Sequence, residues 1–187
     1  MPRPPLARER VLDAYESILL TDGERAATLD AVAKAAGVSK GGLLYHFASK
    51  DELTAGLVQR LADLTDADLA RMRSAAEGPV AYYVRTSVME GDALDRALIA
   101  LTRLAQSGSA AASGALQDSR TQWADEIRPQ VRDEAALELV MLVGDGLYFN
   151  NSLTVPHAER GTVGGFVPTG AALVRLVELV QASVISI

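Results

Sequence analysis

The sequence has no cysteine, which excludes disulfides, thiol nucleophiles and cysteine-ligated metals and leaves the redox compartment open. Histidine is nearly as scarce, with only His46 and His157, so a histidine-rich metal site is not expected and no cofactor is implied. No apolar run approaches the roughly 18 residues that a membrane-spanning helix needs. The opening MPRPPLARER is basic and carries no apolar signal core. The expectation is a soluble, cytoplasmic protein with no membrane partner. Also missing are G-x-S-x-G, a phosphate loop, H-E-x-x-H and any pair of carboxylates beside a base, so an enzyme is not expected.

What the chain does contain is a globular composition: 187 residues, 49% of them hydrophobic and 22% charged, long enough to bury a substantial core. The net charge of −6 looks adverse for a nucleic-acid partner, but it is unevenly placed. Residues 1–60 carry eight Lys/Arg and eight Asp/Glu, and all three lysines (Lys34, Lys40 and Lys50) fall there. Local placement, rather than the total, decides electrostatic attraction.

The chain reads as helical nearly throughout, with segments rich in Ala, Leu, Arg and Glu between short Gly, Pro or Ser breaks. A first helix is predicted over about 6–20. Thr28 caps a second, in which Leu29, Val32, Ala33 and Ala36 form an i, i+3, i+4, i+7 stripe, and Gly37 stops it. Ser39 caps a short third helix, with Val38 and Leu43 in hydrophobic-staple positions; Ser49 and Glu52 form a capping box that starts a fourth at Lys50, running to about Ser74. Two short helices joined by a glycine-containing turn match a helix-turn-helix. Later helices are predicted over 80–90, 93–107, 113–128, 133–154 and 169–185, with 156–168 as a loop.

The third helix is built against propensity. At 100° per residue, Leu43 and Phe47 point toward the first two helices, and Gly41, Leu44 and Tyr45 point away, with Lys40 and His46 at the margins. Two glycines cost up to about 1 kcal/mol each relative to alanine. Either Gly41 and Gly42 form a loop and Leu44 joins the core, or the helix presses its backbone against another surface. Glycine permits close approach, leucine can pack on a thymine methyl, and tyrosine and lysine can reach phosphate or guanine. Lys50 in the first turn of the fourth helix opposes the macrodipole unless an anion sits nearby, and Thr28 opens another helix in the same unit that could hold a second phosphate. Together these favour DNA. His46 lies beside the core face, where an internal hydrogen bond accounts for it as well as a DNA contact does.

The stretch TLDAVAKAAGVSKGGLLYHFASKDEL, with the preceding helix and its trailing DG, resembles the DNA-binding domain of the TetR family of bacterial transcription regulators over residues 8–54. The resemblance implies an all-α fold: an N-terminal three-helix helix-turn-helix domain over 1–54, and a C-terminal helical ligand-binding and dimerisation domain over 55–187. It implies DNA contacts at Thr28, Ser39, Lys40, Gly41, Leu44, Tyr45, His46 and Lys50, with Tyr45 and Lys50 on phosphate and Lys40 and Gly41 facing bases. Gly42 and Leu44 depart from the family's commoner threonine or serine and tyrosine, which bears on the operator sequence. A basic arm of Arg3, Arg8 and Arg10 is either a backbone contact or a solvated terminus.

The implied function is a DNA-binding regulator, a homodimeric repressor of a double-stranded operator, released by a small-molecule effector. The alternative is a regulator without such a ligand, controlled by a protein partner. Apolar stripes support dimerisation independently: Leu137, Met141 and Tyr148 in one helix, and Leu173, Leu176, Val177, Val180 and Val184 in the last. Candidate effector residues are polar or aromatic groups in apolar helices, namely Tyr82, Arg85, Met89, Arg103, Trp123, Asp145, Tyr148 and Phe149, with Tyr83 and Asn150 beside them. Asp145 lies between two glycines, and Arg85 is its most attractive charge partner by sequence.

Overall fold

The structure is a computed structural model that describes residues 5–152 and 167–184; the predicted loop over 156–168 and Arg3 lie largely or wholly outside the described residues. Among the described residues there is no strand, and the helices are α1 (Pro5–Thr21), α2 (Leu29–Ala36), α3 (Lys40–His46), α4 (Lys50–Ser74), α5 (Pro79–Thr86), α6 (Ala93–Gln106), α7 (Ala110–Ile127), α8 (Glu134–Ser152) and α9 (Ala171–Val184). No helix among them is long and apolar enough to cross a membrane. The all-α expectation holds. The largest boundary shifts are at α5, which stops four residues before the predicted end at 90, and α7, which starts three before 113.

The chain forms two compact units: residues up to Thr65 with 91–119, and residues 66–90 with those from Arg120 onward. The first is therefore larger than the sequence boundary at 54 suggests. It also takes in α6 and the first part of α7; Ala97, Ala100, Leu101 and Leu104 of α6 are buried with Val11, Tyr15 and Leu19 of α1 in one core. Arg96 fastens the same pair through a 2.7 Å hydrogen bond to the buried Glu16 carboxylate, whose other oxygen accepts from Arg60 of α4 at 3.2 Å.

The local chemistry of the short helices is as their sequence dictates. Thr28 Oγ1 accepts from the Ala31 amide, and Gly37 ends α2 in the left-handed conformation at φ 66°, a backbone state that costs glycine nothing. Ser39 Oγ accepts from the Gly42 amide at 3.0 Å. Ser49 Oγ accepts from the Glu52 amide, while Glu52 reaches back to the Ala48 amide at 2.7 Å rather than to that of Ser49. Leu43 and Phe47 are buried beside Leu12, Leu53 and Leu57, each contributing on the order of 1.5–3 kcal/mol. Gly56 lets α4 approach closely, since a Cβ there would lie 2.7 Å from Leu12 Cδ2 and 3.0 Å from Phe47 Cε1.

The second unit packs α5, α8 and α9 together. Val80, Tyr82, Tyr83 and Val84 of α5 are buried, as are Leu137, Val140, Met141 and Leu147 of α8 and Val180 and Val184 of α9. Gly144 is the contact point: a Cβ there would fall 2.3 Å from the Tyr83 ring.

Candidate nucleic-acid interface

With Leu43 and Phe47 turned inward, α3 must present its other side to solvent. Tyr45 is 81% exposed and Leu44 39%. Gly41 is exposed, and a Cβ on it would meet nothing within 4 Å. The glycine is therefore not required by packing within the chain, and Leu44 does not join the core. Tyr45 stacks edge-on against His46, ring centroids 5.2 Å apart; His46 is half-buried. Thr28, Ser39 and Lys40 are exposed alongside. Arg8, at the start of α1, lies over the Phe47 ring at 5.2 Å, which holds this basic residue on the domain.

Both lysines have acidic partners within the chain. Lys40 Nζ sits 3.0 Å from Asp30 Oδ1, an exposed pair. Lys50, read from the sequence as a phosphate contact, is half-buried and donates to both the carboxylate and the carbonyl oxygen of Glu24, in the turn after α1. The physical reason is the one that singled Lys50 out: a cation in a first helical turn seeks an anion, and the chain supplies one of its own. Sequence reasoning missed Glu24 because the partners lie 26 residues apart; the signal available was an acidic residue in the DGER turn.

The candidate effector residues are only partly gathered. Arg103 is not among the others: its guanidinium donates to the Leu19 carbonyl at 2.6 Å within the first unit. Asp145 pairs with Arg120 at 3.0 Å rather than with Arg85, which pairs with Glu77 at 2.6 Å and covers the Tyr82 ring. Tyr82 and Trp123 converge on a residue the sequence did not single out, the buried Asp68, whose carboxylate accepts from the Tyr82 hydroxyl at 2.8 Å and from Trp123 Nε1 at 3.0 Å. The Trp123 and Tyr83 rings lie 6.1 Å apart. The Met89 carbonyl accepts from Asn151, Tyr148 is half-buried, and Phe149 is exposed.

Burial, and then the hydrogen bond to and negative charge of Asp68, push the Tyr82 hydroxyl up to about 12. Burial likewise raises Tyr83, aided by Asp145, and Tyr15. These groups keep their protons in the folded chain when the unfolded chain has lost them near pH 10, so their contribution to stability is complete below pH 10 and declines above it. Urea denaturation at a series of alkaline pH values should show stability falling between pH 10 and about 12, with a shallower fall in Tyr82→Phe.

Burial divides the residues of the predicted dimer stripes. Leu137, Met141, Val180 and Val184 are buried within their own unit, and Leu173, Leu176, Val177 and Tyr148 are half-buried. The large apolar residues left exposed are Leu139, Leu142 and Phe149 on α8 and Val174 and Leu179 on α9. Both helices are apolar over most of their circumference, so periodicity picks out the inward stripe and passes over the outward one.

Residues 11–57 match the family of bacterial regulatory proteins called the tetR family, and residues 77–163 match the tetracyclin repressor-like C-terminal domain. The HTH-type transcriptional regulator AlkX of Mycobacterium tuberculosis is 45% identical over 58 residues, which span 31% of this chain and 28% of that protein. A transcriptional regulator of Rhodococcus sp. Rha1 shares the fold with a TM-score of 0.69 at 20% identity, over 95% of each chain. The ketosteroid transcriptional regulator KstR2 of Mycobacterium tuberculosis does so with a TM-score of 0.63 at 18% identity, over 99% of this chain and 98% of that one. The multidrug binding protein EbrR, in complex with imidazole, gives 0.64 at 19% identity, over 99% and 98%.

Proposed function

This chain belongs to the TetR family of DNA-binding transcriptional regulators, and on that premise we propose that it acts as a homodimeric repressor that a small-molecule effector releases from its operator. The observation that carries the DNA-reading role is the outward face of α3, where Gly41, Leu44 and Tyr45 are exposed and the glycine has no internal reason to be there. Lys40 and Gly41 face bases, Tyr45 and Lys50 hold phosphate, and Thr28, Ser39 and His46 line the approach. Leu139, Leu142, Phe149, Val174 and Leu179 supply the dimer face, which brings two reading helices to a two-fold operator.

Gly41→Ala separates folding from reading. Alanine improves helix propensity by about 0.5 kcal/mol and meets no neighbour, so thermal stability should hold or rise. A methyl group between backbone and groove should at the same time weaken binding to a duplex selected by the wild-type chain, by on the order of tenfold, or 1.4 kcal/mol. Full binding by Gly41→Ala would mean that this face does not enter a groove.

The effector enters the second unit, whose Tyr83 and Trp123 rings suit an apolar or aromatic molecule. Release requires that the effector bind the operator-competent and incompetent states unequally. A thermal-shift screen tests this clause; it fails if no molecule that stabilises the chain also releases DNA. The second reading, control by a protein partner without a ligand, draws on the Tyr82 and Trp123 polar atoms being already satisfied by Asp68.

A further inference from the structure

Lys50 opens α4 beside a cleft of about 410 Å³ in the first unit, lined by Glu24, Asp51, Thr54 and the Ser107–Ala111 stretch. It does not project freely from that cleft. Its ammonium is held by the Glu24 carboxylate and, at 2.9 Å, by the Glu24 carbonyl oxygen. A cation at the start of a helix is disfavoured by the macrodipole and gains from any anion placed there. Glu24 and a DNA phosphate would serve Lys50 in the same way, and a single ammonium that turns toward a phosphate must loosen its hold on the carboxylate.

We propose that Glu24 is a negative determinant of DNA affinity: in the unbound chain it occupies the Lys50 ammonium, and binding a duplex exchanges that carboxylate for a backbone phosphate. This rests on the reading of Lys50 as a phosphate contact. The Lys50 and Glu24 side chains are 35% and 31% exposed, so the ammonium stays within reach of a partner arriving from solvent, and exchanging one anion for another falls on affinity. Glu24 is a positioning residue, acting on DNA only through Lys50. Asp30, paired with Lys40, resembles it in sign, but that pair is exposed and makes no backbone tie.

The test is a double-mutant cycle on the full chain, read by fluorescence anisotropy with a labelled duplex of arbitrary sequence, because phosphate contacts do not depend on sequence. Glu24→Gln should tighten binding about threefold to tenfold, or about 0.7–1.4 kcal/mol. Lys50→Gln should weaken it and reduce the salt slope by about 1 for each phosphate no longer neutralised. In the Lys50→Gln background, Glu24→Gln should change little. Equal tightening in both backgrounds would assign the effect to net charge and overturn the proposal. So would weaker binding by Glu24→Gln with a lowered melting temperature, which would make the pair a structural tether. If Lys50→Gln leaves binding and salt slope unchanged, the phosphate reading of Lys50 fails. If Lys50→Gln weakens binding while Glu24→Gln has no effect, only the exchange fails. Glu24→Asp, which keeps the charge but shortens the reach, gives a second folded variant and should tighten binding by an intermediate amount.

Discussion

Leu142→Arg should convert the chain to a monomer in sedimentation or size-exclusion experiments and reduce operator affinity by about 100-fold or more, while leaving its helical content and melting behaviour nearly intact. Leu142 is 57% exposed, so its own unit loses little when it changes. It lies on one side of α8 with Leu139 and Phe149, at i+3 and i+10 from Leu139, and Gly146 between them leaves the stripe open. A guanidinium at the centre of an apolar contact between two copies would be stripped of water without a partner. A monomer binds one half-site and forfeits the effective-concentration advantage of tethered heads, worth about 10² to 10⁴ in affinity. The neighbouring substitution gives the contrast: Met141→Arg places the same charge at a fully buried position and should unfold the second unit. If Leu142→Arg remains a dimer, the interface lies elsewhere.

Asp68→Ala is expected to cost about 3 kcal/mol in unfolding free energy, which for a chain of this size is a fall of roughly 6–12 °C in melting temperature. The carboxylate accepts from the Tyr82 hydroxyl and from Trp123 Nε1, and Arg71 lies 3.6 Å from it. Truncation leaves both donors buried without an acceptor, at about 1–3 kcal/mol apiece. Asp68→Asn should cost less, because of the different capacities of the two donors. An indole N–H can only donate, so the amide oxygen must face Trp123. The amide NH₂ then faces Tyr82, whose hydroxyl can turn to accept. Trp123 is the single tryptophan in the sequence, so its fluorescence reports this site directly during denaturation. Equal losses for Ala and Asn would indicate that the ionic charge, balanced by Arg71, matters more than the acceptor geometry.

The reach of sequence reasoning differs between the halves of the chain. Caps, turns and the inward face of α3 were legible because each is written within a few residues: Thr28 with Ala31, Ser39 with Gly42, Leu43 with Phe47. The same locality made the outward face of α3 readable, since a helix with Leu43 inside must carry Leu44 and Tyr45 outside. What failed to appear was every pairing across long separations. Asp145 found Arg120 rather than Arg85, Arg103 turned to the Leu19 carbonyl, and Asp68 drew in Trp123 from 55 residues away. Each candidate partner has several rivals of the same charge or polarity in the sequence, and only packing selects among them.

By itself, then, the sequence determined an all-helical chain with a helix-turn-helix head, because hydrophobic period, capping residues and glycine placement act through local geometry that one strand of text contains. The tertiary structure alone decided that Lys50 is held by Glu24, that α6 belongs with α1, and that the outward stripe of α8 runs through Leu139 and Leu142 rather than Leu137 and Met141. Those outcomes depend on which surfaces meet, and helices apolar over most of their circumference can meet their neighbours in more than one orientation until close packing chooses.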